Sequence, residues 1–107
     1  MTPGLREYKA ATLRVAVPDG LPPEMHEHCR EIVSLRSTKP RSGFATLLMW
    51  QTVAEADRDG IVLILRPLPF DDGMPEDKLI AFYERFGFVL LPQELPLMAR
   101  APRGSVQ

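Results

Sequence analysis

The segment Lys39-Pro40-Arg41-Ser42-Gly43-Phe44-Ala45-Thr46 places two cations, a hydroxyl and two small residues where an extended run gives way to a helical one. A chain entering a helix leaves its first backbone N–H groups without intrahelical acceptors, and the positive end of the helix dipole lies there. A pyrophosphate supplies the missing acceptors. Gly43 and Ala45 keep side chains out of the way of a close approach, while Arg41 and Lys39 add charge from the rim. A small residue at a helix start also serves ordinary turn geometry, so the flanking elements decide how much the pattern means.

The segment is positioned by a strand, a helix and a second strand. The β-branched pair Ile32-Val33 followed by Ser34-Leu35 predicts a strand at about 31–37, after a loop or short helix. Residues 43–59 form the clearest helix: Phe44, Leu47, Leu48, Met49, Trp50, Val53, Ala54 and Ala56 cover more than one face, which predicts that the helix is largely buried. Gly60 stops it. The unbroken apolar run Ile61-Val62-Leu63-Ile64-Leu65 then reads as a central parallel strand covered on both faces. The three together make a βαβ unit, which should cross over right-handedly.

Around this unit, residues 11–17 alternate as a strand, and Pro18-Asp19-Gly20 closes it as a turn. Pro67, Pro69 and Asp71-Asp72-Gly73 make a loop, and Pro75-Glu76-Asp77 opens a second helix carrying Leu79, Ile80, Phe82, Tyr83 and Phe86. Residues 88–91 and 97–101 read as closing strands, and 102–107 as a loose tail. The fold class is therefore α/β or α+β, a mixed sheet in one domain spanning 1–107.

With 107 residues and 45% hydrophobic content the chain can build one core. Thirteen basic against 14 acidic side chains leave no large positive field, which argues against nucleic acid as a partner. Cys29 is the only cysteine, so no internal disulfide forms and a reducing, cytoplasmic setting is the simplest context. No apolar stretch approaches the roughly 20 residues of a bilayer crossing, so no membrane partner is expected. His26-Glu27-His28-Cys29 lacks the His-Glu-x-x-His spacing that puts two imidazoles on one helical face, and a lone thiol is more often packed than nucleophilic. No metal is expected.

The Arg-Ser-Gly-Phe-Ala loop, the long helix, the apolar strand and then Leu79-Ile80-Ala81-Phe82-Tyr83-Glu84-Arg85-Phe86-Gly87-Phe88 occur in an order that resembles the GNAT family of N-acetyltransferases. The aromatic-Tyr pair, charged pair and aromatic-Gly-Phe ending are the more specific part, and the resemblance covers about 31–101. Its style is that of the small acetyltransferases encoded by phages and mobile elements, one of which acetylates a CRISPR nuclease. The resemblance implies a compact mixed sheet with a central βαβ unit, two splayed parallel strands and a reduced N-terminal part. It also implies acetyl-CoA as cosubstrate, held by Lys39, Arg41, Ser42, Gly43, Phe44, Ala45, Thr46 and Phe82. The acetyl group would pass directly to an amine on a small molecule, a protein lysine or an N-terminus.

In the family, the hydroxyl matching Tyr83 lies near the thioester sulfur, which makes Tyr83 the candidate acid. Glu31 is the first choice of base, because members often place a glutamate on the strand preceding the loop. Asp71 and Asp72 could instead bind a cationic acceptor, and a water relayed from a carboxylate would do the same work. The sequence departs from the family pattern at Pro40, where Gln or Arg is usual, and at Glu76, where many members carry Asn. A non-catalytic module of the same fold that binds a protein partner, as an inhibitor, is the competing expectation. Edge-strand logic allows a homodimer.

Overall fold

The computed structural model of the chain describes residues 1–39, 42–67, 75–93 and 95–103. Six strands, β1 (Gly4–Tyr8), β2 (Ala11–Ala16), β3 (Cys29–Ser37), β4 (Val62–Leu65), β5 (Val89–Leu90) and β6 (Met98–Arg100), form one mixed sheet in the order β1-β2-β3-β4-β6-β5. Among the described residues β3 and β4 are the one parallel pair and the other neighbours run antiparallel. The same residues hold two helices, α1 (Phe44–Asp59) and α2 (Glu76–Glu84), and a 3-10 turn at Pro23–Met25. An α+β fold with a β3-α1-β4 unit is thus present.

Helix α1 begins and ends at glycines in the left-handed region, Gly43 at φ 83° and Gly60 at φ 69°; the Gly60 amide donates to the carbonyls of Ala56 and Asp57. Leu48, Met49, Thr52, Val53 and Ala56 recur at helical spacing and are buried against the sheet. The expectation of a largely buried helix fails on the other side, where Leu47 and Trp50 are 46% and 47% exposed. Apolar residues in excess of one stripe predict wide burial, but a single sheet face is all the helix covers among the described residues.

Both helices lie on the same face of the sheet. On that face Ala11, Leu13 and Val15 of β2, Leu63 and Leu65 of β4, and Met98 of β6 are buried at 2% exposure or less. The guanidinium of Arg100, next along β6, donates to both carboxylate oxygens of Asp57 on α1 at 2.7 and 3.0 Å and to the carbonyl of Phe86, just beyond α2, at 2.6 Å. Phe86 in turn meets the Trp50 ring edge-on at 4.7 Å. One buried cation therefore ties strand and both helices together.

The run 61–65 is not covered on both faces as its unbroken hydrophobicity suggested: Leu63 and Leu65 are buried, but Val62 and Ile64 are only half-buried. Strand β1 is a second difference. Its sequence Gly-Leu-Arg-Glu-Tyr has little alternation to announce a strand, and it is set by tertiary partners, with Arg6 paired to Glu55 of α1 at 3.0 Å. The backbone amide of Arg103 donates to Asp57 at 2.7 Å, so the chain is anchored at the second residue of the expected loose tail; residues 104–107 lie outside the described residues. Among the described residues no helix is long and apolar enough to cross a membrane.

Candidate functional site

Strand β3 pairs with β4 over only four residues, Cys29↔Val62 through Ile32↔Leu65, and then runs on to Ser37. On its other edge it pairs with β2, where Val15 faces Ile32 but Arg14 faces Ser34. Val33 is therefore an extra residue, a β-bulge placed directly after the last parallel pair. A bulge bends its strand and ends regular pairing. The amide-bearing edge of residues 33–37 is thereby left without β4, and beyond Leu65 the proline at 67 could not donate a ladder hydrogen bond in any case. The parallel pairing therefore ends at Ile32 and Leu65, while β3 itself continues to Ser37.

Strand β3 leads into the helix entrance. Thr38 fastens the turn by donating its amide and its hydroxyl to the Ala10 carbonyl at 3.0 and 3.4 Å, and the amide of Ser42 donates to the Lys39 carbonyl at 3.3 Å. The Ser42 hydroxyl accepts from the Phe44 amide at 3.3 Å, and Leu47 donates to the Gly43 carbonyl at 3.0 Å. The amides of Ala45 and Thr46 have no hydrogen-bond partner among the described residues. Gly43 is exposed, and a Cβ built there would meet nothing within 4 Å. Among the described residues nothing blocks the approach to Gly43, and unpartnered amides at a helix start are the arrangement that favours an anion.

Lys39, Ser42, Gly43, Phe44, Ala45 and Thr46 thus come together at one place, while Arg41 and Pro40 lie outside the described residues, as do Asp71 and Asp72. A cation the sequence did not single out joins them. Lys9, in the turn between β1 and β2, holds its Nζ 5.3 Å from the centre of the Phe44 ring and 5.7 Å from that of Tyr8, and the two rings meet edge-on at 5.9 Å. Only the pairing of the hairpin with β3 brings Lys9 to the start of α1. Its φ of 52° is the left-handed value of a tight turn.

Glu31 is half-buried on the face of the sheet away from the helices, opposite Ile64 of β4 and Ala16 of β2, one residue before the parallel pairing ends. Tyr83 is buried at 3% exposure on α2, its ring edge-on to Phe82 at 5.3 Å and to Phe88 at 6.1 Å. Phe82, half-buried, also contacts Phe86 and lies beneath the guanidinium of Arg85. Cys29 is buried, and its thiol is pushed up from its ordinary pKa mainly by that burial, which disfavours the thiolate a nucleophile needs. His26 spends its Nε2 on the Leu21 carbonyl at 3.0 Å. Among the described residues no group of three His, Cys, Asp or Glu side chains is placed to hold a metal.

No protein-family model matches the chain, and no curated protein matches it. Among solved structures, the crystal structure of the anti-CRISPR protein AcrVA5 is similar, with a TM-score of 0.74 and 19% identity over 94% of this chain and 100% of that one. At that identity the likeness is one of fold.

Proposed function

We propose that the chain is an acetyl-CoA-dependent N-acetyltransferase of the GNAT type, working without a metal and passing acetyl directly to an amine. The observation that carries the reading is the entrance to α1: an exposed left-handed glycine and helix amides without a partner among the described residues, at the end of a strand whose parallel pairing stops at a bulge. Those amides, with Lys39 and Lys9 at the rim, would hold the pyrophosphate, and the gap between β3 and β4 would admit the pantetheine arm. The order of motifs in the sequence supplies the choice of cofactor.

Glu31 takes one proton from the acceptor ammonium; the amine nitrogen then bonds to the thioester carbonyl carbon and the carbon–sulfur bond breaks. The second nitrogen proton is balanced by one delivered to the departing thiolate, and Tyr83 is the proposed donor. Holding both reactants in one cleft supplies much of the rate. Isothermal titration with acetyl-CoA tests the reading: heat and a one-to-one stoichiometry are expected at micromolar ligand, and no binding at high micromolar concentration removes it. With binding in hand, Tyr83→Phe should lower kcat about a hundredfold or more; unchanged turnover eliminates Tyr83 as the acid.

A second reading, a non-catalytic inhibitor that acts by binding a protein partner, is favoured by the fold shared with an anti-CRISPR protein. It predicts partner binding that is indifferent to Tyr83→Phe and to the presence of acetyl-CoA.

A further inference from the structure

The face of the sheet turned away from both helices has a pattern of its own. Register pairs Ala16 with Glu31, Glu31 with Ile64, Ile64 with Ala99 and Ala99 with Val89, so one row of side chains crosses five strands with a single carboxylate among apolar neighbours. Along β1, β2 and β3 the same face turns polar, with exposed Glu7 of β1 opposite Thr12 and two arginines toward its centre. Arg14 stands opposite Ser34, and Arg36 opposite Thr12; both arginines are exposed, and neither makes an ion pair or side-chain hydrogen bond among the described residues. Arg66, exposed one residue past β4 and followed by buried Pro67, continues the alternation onto this side and is likewise unpaired there. Among the described residues Arg6, Arg30, Arg58 and Arg100 have a carboxylate or carbonyl partner, and these three do not.

We infer that this bare face docks the acceptor, and that the acceptor is a lysine in an extended, acidic segment of a protein. The inference rests on the transferase reading for its amine and on charge complementarity for its flanks. A lysine stem would lie on Ala16 and Ile64 with its ammonium at Glu31. From that row the Arg14 row is about 7 Å along the strands and the Arg36 row about 14 Å, which in an extended peptide is roughly two and four residues. Carboxylates at those two positions would meet the two guanidiniums. On transfer, one nitrogen proton passes through Glu31 to solvent, the new amide C–N bond replaces the C–S bond, and the other nitrogen proton ends on the CoA thiol.

The test uses three fluorescent peptides that share one central lysine and differ only at the positions two and four residues to either side: glutamate, serine or lysine. Anisotropy with the full chain should give about tenfold tighter binding of the glutamate peptide than of the serine one, and an advantage that collapses between 50 and 500 mM salt. The Arg14→Glu/Arg36→Glu protein should invert the order; near-ultraviolet circular dichroism identical to the parent shows that it is folded. Mass spectrometry of the same peptides with acetyl-CoA should give the same ranking of acetylation. Equal binding of the three peptides, or no response to the charge reversal, overturns the inference. So does a dimer that Val89→Asp dissociates, since a second copy would then own the face, or an oligonucleotide that outcompetes the glutamate peptide. Titration of acetyl-CoA in parallel separates the two readings: peptide preference without acetyl-CoA binding sinks the transferase alone, and acetyl-CoA binding without peptide preference sinks this docking site alone.

Discussion

The two faces of the one sheet are made from the same strands and have opposite characters. On the helix side Leu13, Leu63, Leu65 and Met98 are sealed, and the lone buried guanidinium is fully occupied by Asp57 and the Phe86 carbonyl. On the other side the alternate residues are half-buried or exposed, mix the carboxylates of Glu31 and Glu7 with apolar groups, and leave Arg14 and Arg36 unpaired among the described residues. A charge kept inside a core must be answered in place, because an unpaired ion there costs several kcal/mol. Charges left unanswered on a solvated surface cost little and remain available to a partner. The contrast separates what the protein spends on folding from what it keeps for recognition.

Adjacent residues of β4 give the sharpest way to break that contrast. Leu63→Ala should destabilise by about 3–4 kcal/mol and Ile64→Ala by about 1 kcal/mol, read as shifts in the urea midpoint; equal losses would mean that the second face is covered after all. Asp57→Ala comes next. It strips the buried Arg100 of its carboxylate and should cost about 2–3 kcal/mol.

The same pair sets an acid limit. The hydrogen bonds from Arg100 hold the Asp57 carboxyl below its usual range, so its contribution is fully present above about pH 4 and is lost as pH falls through the depressed folded value. The parent should therefore lose stability below pH 4 along a steeper curve than Asp57→Ala. Parallel curves would show that the pair does not govern acid unfolding.

A stability change as small as that of Ile64→Ala belongs to the helix entrance. Gly43→Ala meets no steric obstacle, yet it must hold φ near 83°, and about 1 kcal/mol should be lost. Its effect on acetyl-CoA binding should be larger than that on folding. A variant that loses the 1 kcal/mol while binding acetyl-CoA like the parent would uncouple the entrance from the ligand.

Much of the frame was legible because short-range rules dictate it. Glycines at 43 and 60, with apolar residues at helical spacing between them, leave α1 little choice, and Pro75 with Glu76 and Asp77 opens α2 for the same kind of reason. The loop from Lys39 to Thr46 was legible as a place with open amides. Strand β1 was not, since Gly-Leu-Arg-Glu-Tyr becomes a strand through its ladder with β2 and the Arg6–Glu55 pair. Nor was the side on which each apolar residue of 61–65 would lie, because a continuous apolar run carries no alternation.

The sequence by itself determined the order of elements, their stops and the candidate residues, all consequences of backbone preference and periodicity within a few residues. Only the tertiary structure decided that Val33 is a bulge, that Lys9 stands beside Phe44, and that one face of the sheet carries no helix among the described residues. Each of these depends on which residue of one strand faces which residue of another, and register of that kind is fixed by contacts between segments far apart in the chain.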